Sequence, residues 1–380
     1  MKASLFAALS PLALLAASCH ATAAGDSSAT AASVSHAFAV KSLATLDEPW
    51  AMALLPGGTS ALITEKAGKI WLVDLSNGAK VPVSGAPTVD YGGQGGLGDV
   101  ALAPDFAASK VIYLTWVEAG PRDTRGAVLG RATLDPAAPQ PGLEGLTVIW
   151  RQSPKVTGRG HFSHRVAFSP DGKYLFLSSG ERQKFTPAQD LSNNLGKVLR
   201  LNRDGTPAAG NPFEARGGVA REIWSYGHRN LLGLQFDAAG QLWDLEHGPA
   251  GGDELNLVKP GQNYGWPLVS DGDHYDGKAI PRNATRPDLA QPAISWNPVI
   301  APGDFIFYSG RMWPEWKGQA LIAALGSEGL VRVQIDGEKG IEEARYPLGK
   351  RIREIREAPD GALYVLEDGK GGRLLRLSKK

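Results

Sequence analysis

The sequence predicts an all-β chain, a six-bladed β-propeller with four-stranded blades, and three observations carry that expectation. Apolar residues recur in short alternating runs bounded by Gly, Pro and Asp, and helical spacing is scarce. The 380 residues include 47 glycines and 26 prolines, a stock of turn residues unlike that of a helical bundle. One unit of turn, alternating strand, second turn and strand returns six times. It reads PGGTSALITEKAGKIWLVD at 56–74, APDFAASKVIYLTWVE at 103–118, SPDGKYLFLSSGE at 169–181 and DAAGQLWDLEHG at 237–248. The last two copies are WPEWKGQALIAALGSEGLVRVQI at 313–335 and APDGALYVLEDGKGGRLLRL at 358–377. Six copies give roughly 57 residues each, which suits four strands with variable loops. The spacing is widest between 245 and 313, so a long insertion is expected there. A β-sandwich, the competing fold, does not require a sixfold repeat.

The chain opens on an expected export signal at 1–24. Lys2 supplies a positive start, residues 5–17 are apolar but too short to span a bilayer, and Ala21-Thr22-Ala23 fits a cleavage site. Cys19, in Ala16-Ala17-Ser18-Cys19, offers a second route, lipidation. Either route implies a periplasmic or secreted protein. Residues 25–35, GDSSATAASVS, read as a flexible linker, and 36–380 as a single propeller domain. No later segment is long and apolar enough for a membrane span. Composition excludes other classes. A formal net charge of +1 argues against nucleic acid as partner, and a lone cysteine excludes disulfides and Cys-ligated zinc within one chain.

In a propeller the innermost strands line a channel and ligands sit at one mouth, so polar clusters just after innermost strands are site candidates. In chain order, the first is Gly92-Gly93-Gln94-Gly95-Gly96, whose glycines permit close backbone approach to a ligand or form a plain turn. GRGHFSHR at 158–165 feeds a strand. Alternation places His161, Ser163 and Arg165 on one face and Phe162 and His164 on the other. His161 reads either as a general base or as a hydrogen-bonded structural residue. In WSYGHRN at 224–230, Arg229 offers planar donors to an anion or pairs with a core carboxylate, and Asn230 offers both donor and acceptor. EHGPAGGDE at 246–254 joins carboxylates to a Gly/Pro loop, which suits a hard cation such as calcium. Asp271-Gly272-Asp273 reads as a solvated loop. Arg351 and Arg353, two apart, share a strand face. They either bracket an anionic ligand or lie solvated at a rim. No Gly-x-Ser-x-Gly elbow, His-Glu-x-x-His zinc site or Gly-x-Gly-x-x-Gly dinucleotide fingerprint is present.

Seven motifs stand in order: EPWAMALLPGG (48–58), GQGGLGDVALAPDF (93–106), HFSHRVAFSPDG (161–172), EIWSYGHRN (222–230), EHGPAGGDELN (246–256), NYGWP (263–267) and RIREIREAPDG (351–361). Together they resemble the soluble quinoprotein sugar dehydrogenases of the glucose/sorbosone dehydrogenase family, periplasmic aldose sugar dehydrogenases in particular, from about Leu46 to Leu377. The resemblance implies oxidation of the anomeric carbon of an aldose sugar to a lactone, with pyrroloquinoline quinone (PQQ) and calcium as cofactors and an external electron acceptor as partner. It makes His161 the base that takes the anomeric proton while a hydride passes to the quinone C5. Arg229 would then lie beside the quinone carbonyls, with Asn230 and Gln94 as neighbouring polar contacts. Gly248 and Pro249 would hold calcium through backbone carbonyls, Glu254 and Tyr264 a second, structural calcium, and Arg351 and Arg353 would face the cofactor's carboxylates. One departure stands out. Relatives tend to carry a lysine where this chain has Gly326, within ALGSE at 324–328. PQQ carries three carboxylates, so Arg351, Arg353 and Arg182 would have to compensate. The rival reading is a non-catalytic exported propeller that has lost its cofactor.

Overall fold

The computed structural model describes residues 37–380; the expected export signal, the linker and Cys19 lie outside them. Six four-stranded antiparallel sheets form the blades, so the predicted propeller is what the chain builds. In chain order their first strands are Pro49–Leu54, Leu97–Leu102, Ser163–Phe168, Leu231–Phe236, Pro302–Phe307 and Ile352–Glu357. Each of these contacts the first strand of the next blade, and the sixth returns to the first, so they line the channel. The six repeats fall one to a blade, each covering its second strand.

One feature was not legible. The strand Ala39–Asp47 pairs with Lys370–Ser378, so blade 6 takes its outermost strand from the chain's beginning. This closes the ring with backbone hydrogen bonds between the two ends of the described chain. The long insertion between 245 and 313 is the connection 258–293, inside blade 4 between Asp253–Leu257 and Ile294–Trp296.

The core lies between blades. Leu62 and Ile70 of blade 1 pack on Ile112, Leu114 and Val128 of blade 2, and Leu321 and Leu330 of blade 5 pack with Val365 and Leu375 of blade 6. Such faces bury apolar surface only when neighbours are present, so the ring stands as a unit. The channel axis is filled by charge. Arg165 reaches Glu354 at 2.8 Å and Asp99 at 3.4 Å, and Arg356 pairs with Asp304 and Glu354. Burial pushes the Glu354 carboxyl up to about 8, relieving the excess of three carboxylates over two guanidiniums.

Innermost strands start at one mouth of the channel and second strands end there. Polar residues of the mouth therefore precede innermost strands (His161, Asn230, Arg351) or follow second strands (Lys66, Glu181, His247, Asp368). The expectation that they come just after innermost strands was reversed, because antiparallel pairing brings the start of one strand beside the end of its partner.

Candidate active site

The mouth holds a cavity of about 170 Å³, lined among others by Trp50, Gln94, His164, Asn230, Arg351 and Arg353. A second, of about 320 Å³, is lined by Phe185, Arg229, Pro249, Trp266 and Tyr275. Arg229 also borders a small cleft with Gly248, Glu254 and Tyr264.

His161 stands at the entrance to blade 3. Its backbone is left-handed (φ 50°), and Gln94 Oε1 accepts its N–H at 2.6 Å. The imidazole Nδ1 meets the Glu181 carboxylate, so the base has an orienting partner that the sequence did not reveal. Only its place two residues past the second strand of the same blade, Tyr174–Ser179, hinted at it. Its carboxylate also accepts the N–H groups of Gln183 (2.9 Å), Lys184 (2.5 Å) and Phe185 (2.6 Å). Burial raises the Glu181 pKa, but these bonds and the His161 contact outweigh it and hold the carboxyl below its ordinary value. Burial lowers the His161 pKa and Arg229 adds to this, while Glu181 opposes. The result is a neutral imidazole whose Nδ1–H donates to the Glu181 carboxylate, with Nε2 left as the acceptor.

Arg229 donates to His247 O at 3.0 Å and to Tyr275 Oη at 3.3 Å. Its Nε is buried with no acceptor among the described residues, and so is Trp266 Nε1 beside it. Two orphaned donors mark a place for an acceptor oxygen. Asn230 Oδ1 accepts from Ser163 Oγ at 3.3 Å, and the Asn230 amide nitrogen bonds to no described residue. Arg351 and Arg353 both reach Asp368, at 3.0 and 2.8 Å. They share one cavity and one carboxylate, which leaves a net positive charge facing the space. Arg353 is 13% exposed and Arg351 50%, so the pair is half buried and half rim.

The loop at 248–254 is built without room for a side chain at Gly248, where a Cβ would lie 2.2 Å from the carbonyl oxygens of Gly251 and Gly252. Burial and the neighbouring Glu246 push Glu254 up to about 8, and Asn283 Nδ2 donates to it at 2.6 Å. The Tyr264 hydroxyl is spent on Leu257 O (2.6 Å) and Lys259 N (2.8 Å), so only its backbone carbonyl is free to serve a cation. Oxygen donors and an uncompensated buried carboxylate pair fit a calcium ion rather than zinc.

Three expectations need correction. Strand alternation does not hold at 161–165. Ser163 and His164 also have positive φ (58° and 65°), and the pairing slips between Ser163 and Val166, so His164 lines the cavity instead of turning away. Arg182 is wholly buried, spending its guanidinium on the carbonyls of Gly160, Arg125 and Gly158, and it does not line the cavity. Asp271-Gly272-Asp273 is not a solvated loop, because Asp273 pairs with Ala250 and Gly272 is packed against Gly251. Lys66, which the sequence reading passed over, contributes a cation to the cavity and donates to Gly93 O at 3.0 Å.

Residues 46–376 match the family model for glucose/sorbosone dehydrogenases. The chain belongs to that family. It is 39% identical over 341 residues to an aldose sugar dehydrogenase of Escherichia coli, covering 88% of this chain and 91% of that one. Among solved structures, the apo-form of the soluble E. coli aldose sugar dehydrogenase superposes with a TM-score of 0.86 at 38% identity, covering 90% of this chain and all of that one. The PQQ-bound aldose sugar dehydrogenase of Streptomyces coelicolor gives 0.75 at 29% identity, over 90% of this chain and 98% of the other. No helix among the described residues of this chain is long and apolar enough to cross a membrane.

Proposed function

We propose that this protein is a PQQ- and calcium-dependent dehydrogenase that oxidises the anomeric carbon of aldose sugars to lactones and passes the electrons to an external acceptor. It would work in the periplasm or outside the cell, as the segment at 1–24 suggests. The observation that carries the reading is His161, neutral and held by Glu181, beside an Arg229 whose Nε lacks an acceptor. Lineage supports the cofactor, since the Streptomyces relative is PQQ-bound. The site's chemistry supports it too: orphaned donors at Arg229 and Trp266 suit quinone oxygens, and the Arg351–Arg353 pair suits carboxylates. The Glu181–His161 pair speaks against a propeller that has abandoned catalysis.

In this reading the anomeric hydroxyl gives its proton to His161 Nε2 and C1 gives up a hydride, leaving the lactone. PQQ, when bound, would supply the hydride acceptor, and calcium held by the Gly248 and Pro249 carbonyls would supply a Lewis acid. Glu181 fixes the ring and stabilises the imidazolium that forms. Arg229 offers positive charge where negative charge grows. Asn230 and Gln94 present amide donors to the bound molecules, and Arg351 and Arg353 hold the anionic end.

Reconstitution tests this. Purified protein given PQQ and calcium should reduce a dye with a panel of aldoses, and chelation should abolish the activity until calcium is restored with PQQ present. Full activity in protein shown to be metal-free would defeat the calcium assignment, and failure to bind PQQ would defeat the cofactor.

A further inference from the structure

The cavity wall contains a second histidine for which the proposed chemistry has no use. His164 sits in a fitted slot. Its ring stacks on Trp50 with centroids 5.1 Å apart and planes 19° from parallel. Its other edge occupies the space a side chain at residue 98 would fill, since a Cβ on Gly98 would lie 1.9 Å from His164 Cε1 and 2.3 Å from Nδ1. Nδ1 is 2.8 Å from Thr115 Oγ1.

That contact fixes the tautomer. The Thr115 hydroxyl is fully buried and already accepts the Asp99 N–H at 2.8 Å. Its own proton has one outlet among the described residues, His164 Nδ1. If Nδ1 carried the ring proton instead, the hydroxyl proton would be buried without a partner. Nδ1 is therefore the acceptor and Nε2 carries the hydrogen. Nε2 bonds to no described residue, and the residue lines the same cavity as Arg351, Arg353, Gln94 and Asn230. Burial and the nearby Arg165 hold the His164 pKa at about 3, so the ring stays neutral.

We propose that His164 is a further ligand-binding residue of the central cavity, a neutral imidazole whose Nε2–H donates to an oxygen of the molecule bound there. The identity of that molecule, PQQ, rests on the proposed function. Stacking, the Gly98 gap and the Thr115 bond leave the ring one orientation, so the donor is positioned before binding. It adds a contact to the cationic wall that lacks a lysine at residue 326.

Two measurements test it. PQQ titrations of apoprotein at fixed calcium should give a dissociation constant about tenfold higher for His164→Phe, which keeps the stacked ring and removes the donor. The thermal midpoint of the apoprotein should stay within about 4 °C. Histidine ¹⁵N spectra of the wild-type protein, which need no variant, should show the His164 proton on Nε2 and its resonance moving when PQQ is added. Equal PQQ affinity in a folded His164→Phe protein, or a wild-type proton on Nδ1, would overturn this inference and leave the proposed function standing. A wild-type protein that takes up no PQQ would overturn both.

Discussion

The chain enters its innermost strands differently in blades 3 and 6. At blade 6 the pairing also slips, between Ile352 and Glu354, but Arg351, Ile352 and Arg353 all keep negative φ: Ile352 is buried in the core, and the two guanidiniums emerge together onto Asp368. At blade 3, His161, Ser163 and His164 take left-handed backbone, as do Arg182, Gln183 and Phe185 on the adjoining loop. Each such residue costs on the order of 1–3 kcal/mol and persists only where its surroundings over-determine it. Here the determinants are visible. Glu181 gathers three backbone N–H groups, Arg182 gathers three carbonyls, and Gln94 caps His161. A regular strand presents a fixed comb of side chains, suited to holding a flat anion. An irregular run turns Phe162, Ser163 and His164 together onto one cavity, with the proposed base His161 directly before them in the chain.

Breaking the irregular entrance should cost most. His161→Ala should lower kcat by roughly 10²–10⁴-fold while PQQ binding is retained. Turnover equal to the parent protein would remove His161 from the mechanism. Glu181→Gln comes next, with kcat expected to fall about 10–100-fold, since the base keeps its place but loses the charge that stabilises imidazolium. Its pH profile carries a sign. His161 must be neutral to act, and burial already holds its pKa below the ordinary value, so the acid limb of kcat/KM should lie below about pH 6.5. Glu181 raises the His161 pKa, so Glu181→Gln should move that limb to still lower pH. A limb that moves upward would show that the pairing is not what tunes the base.

At the regular entrance the effects are smaller and fall on binding. Arg353 is the buried arm of the pair, and Arg351→Ala, at the half-exposed rim, should weaken PQQ by only about threefold. An effect as large as that of Arg353→Ala would mean that both arms close on the ligand. Gly326→Lys would add the missing cation, but a Cβ there meets Ile300 O at 2.8 Å, so the loop must shift and any gain in affinity should stay under about tenfold.

The same contrast decides how much the sequence could disclose. Blade number and strand count were legible because turn signals and period-two patterning are local properties repeated six times. The Arg351–Arg353 pairing was legible for the same reason. Glu181 behind His161, and Lys66 and His164 in the cavity wall, were not, because they depend on which strand ends meet at one mouth and on backbone that breaks the alternation. The closing strand Ala39–Asp47 was hidden because its partner lies at the far end of the chain.

The most direct test measures two quantities on two variants: the PQQ dissociation constant at fixed calcium, and kcat at saturating PQQ. Arg353→Ala should raise the dissociation constant at least ~10-fold, the loss of a charge-assisted pair, and leave kcat within about threefold. His161→Ala should do the reverse, lowering kcat ~10²–10⁴-fold with PQQ affinity within about twofold. Crossed losses would confirm that the regular strand binds and the irregular entrance reacts. If both variants lose the same quantity, or if Arg353→Ala leaves the PQQ midpoint where it was, that division of labour is wrong.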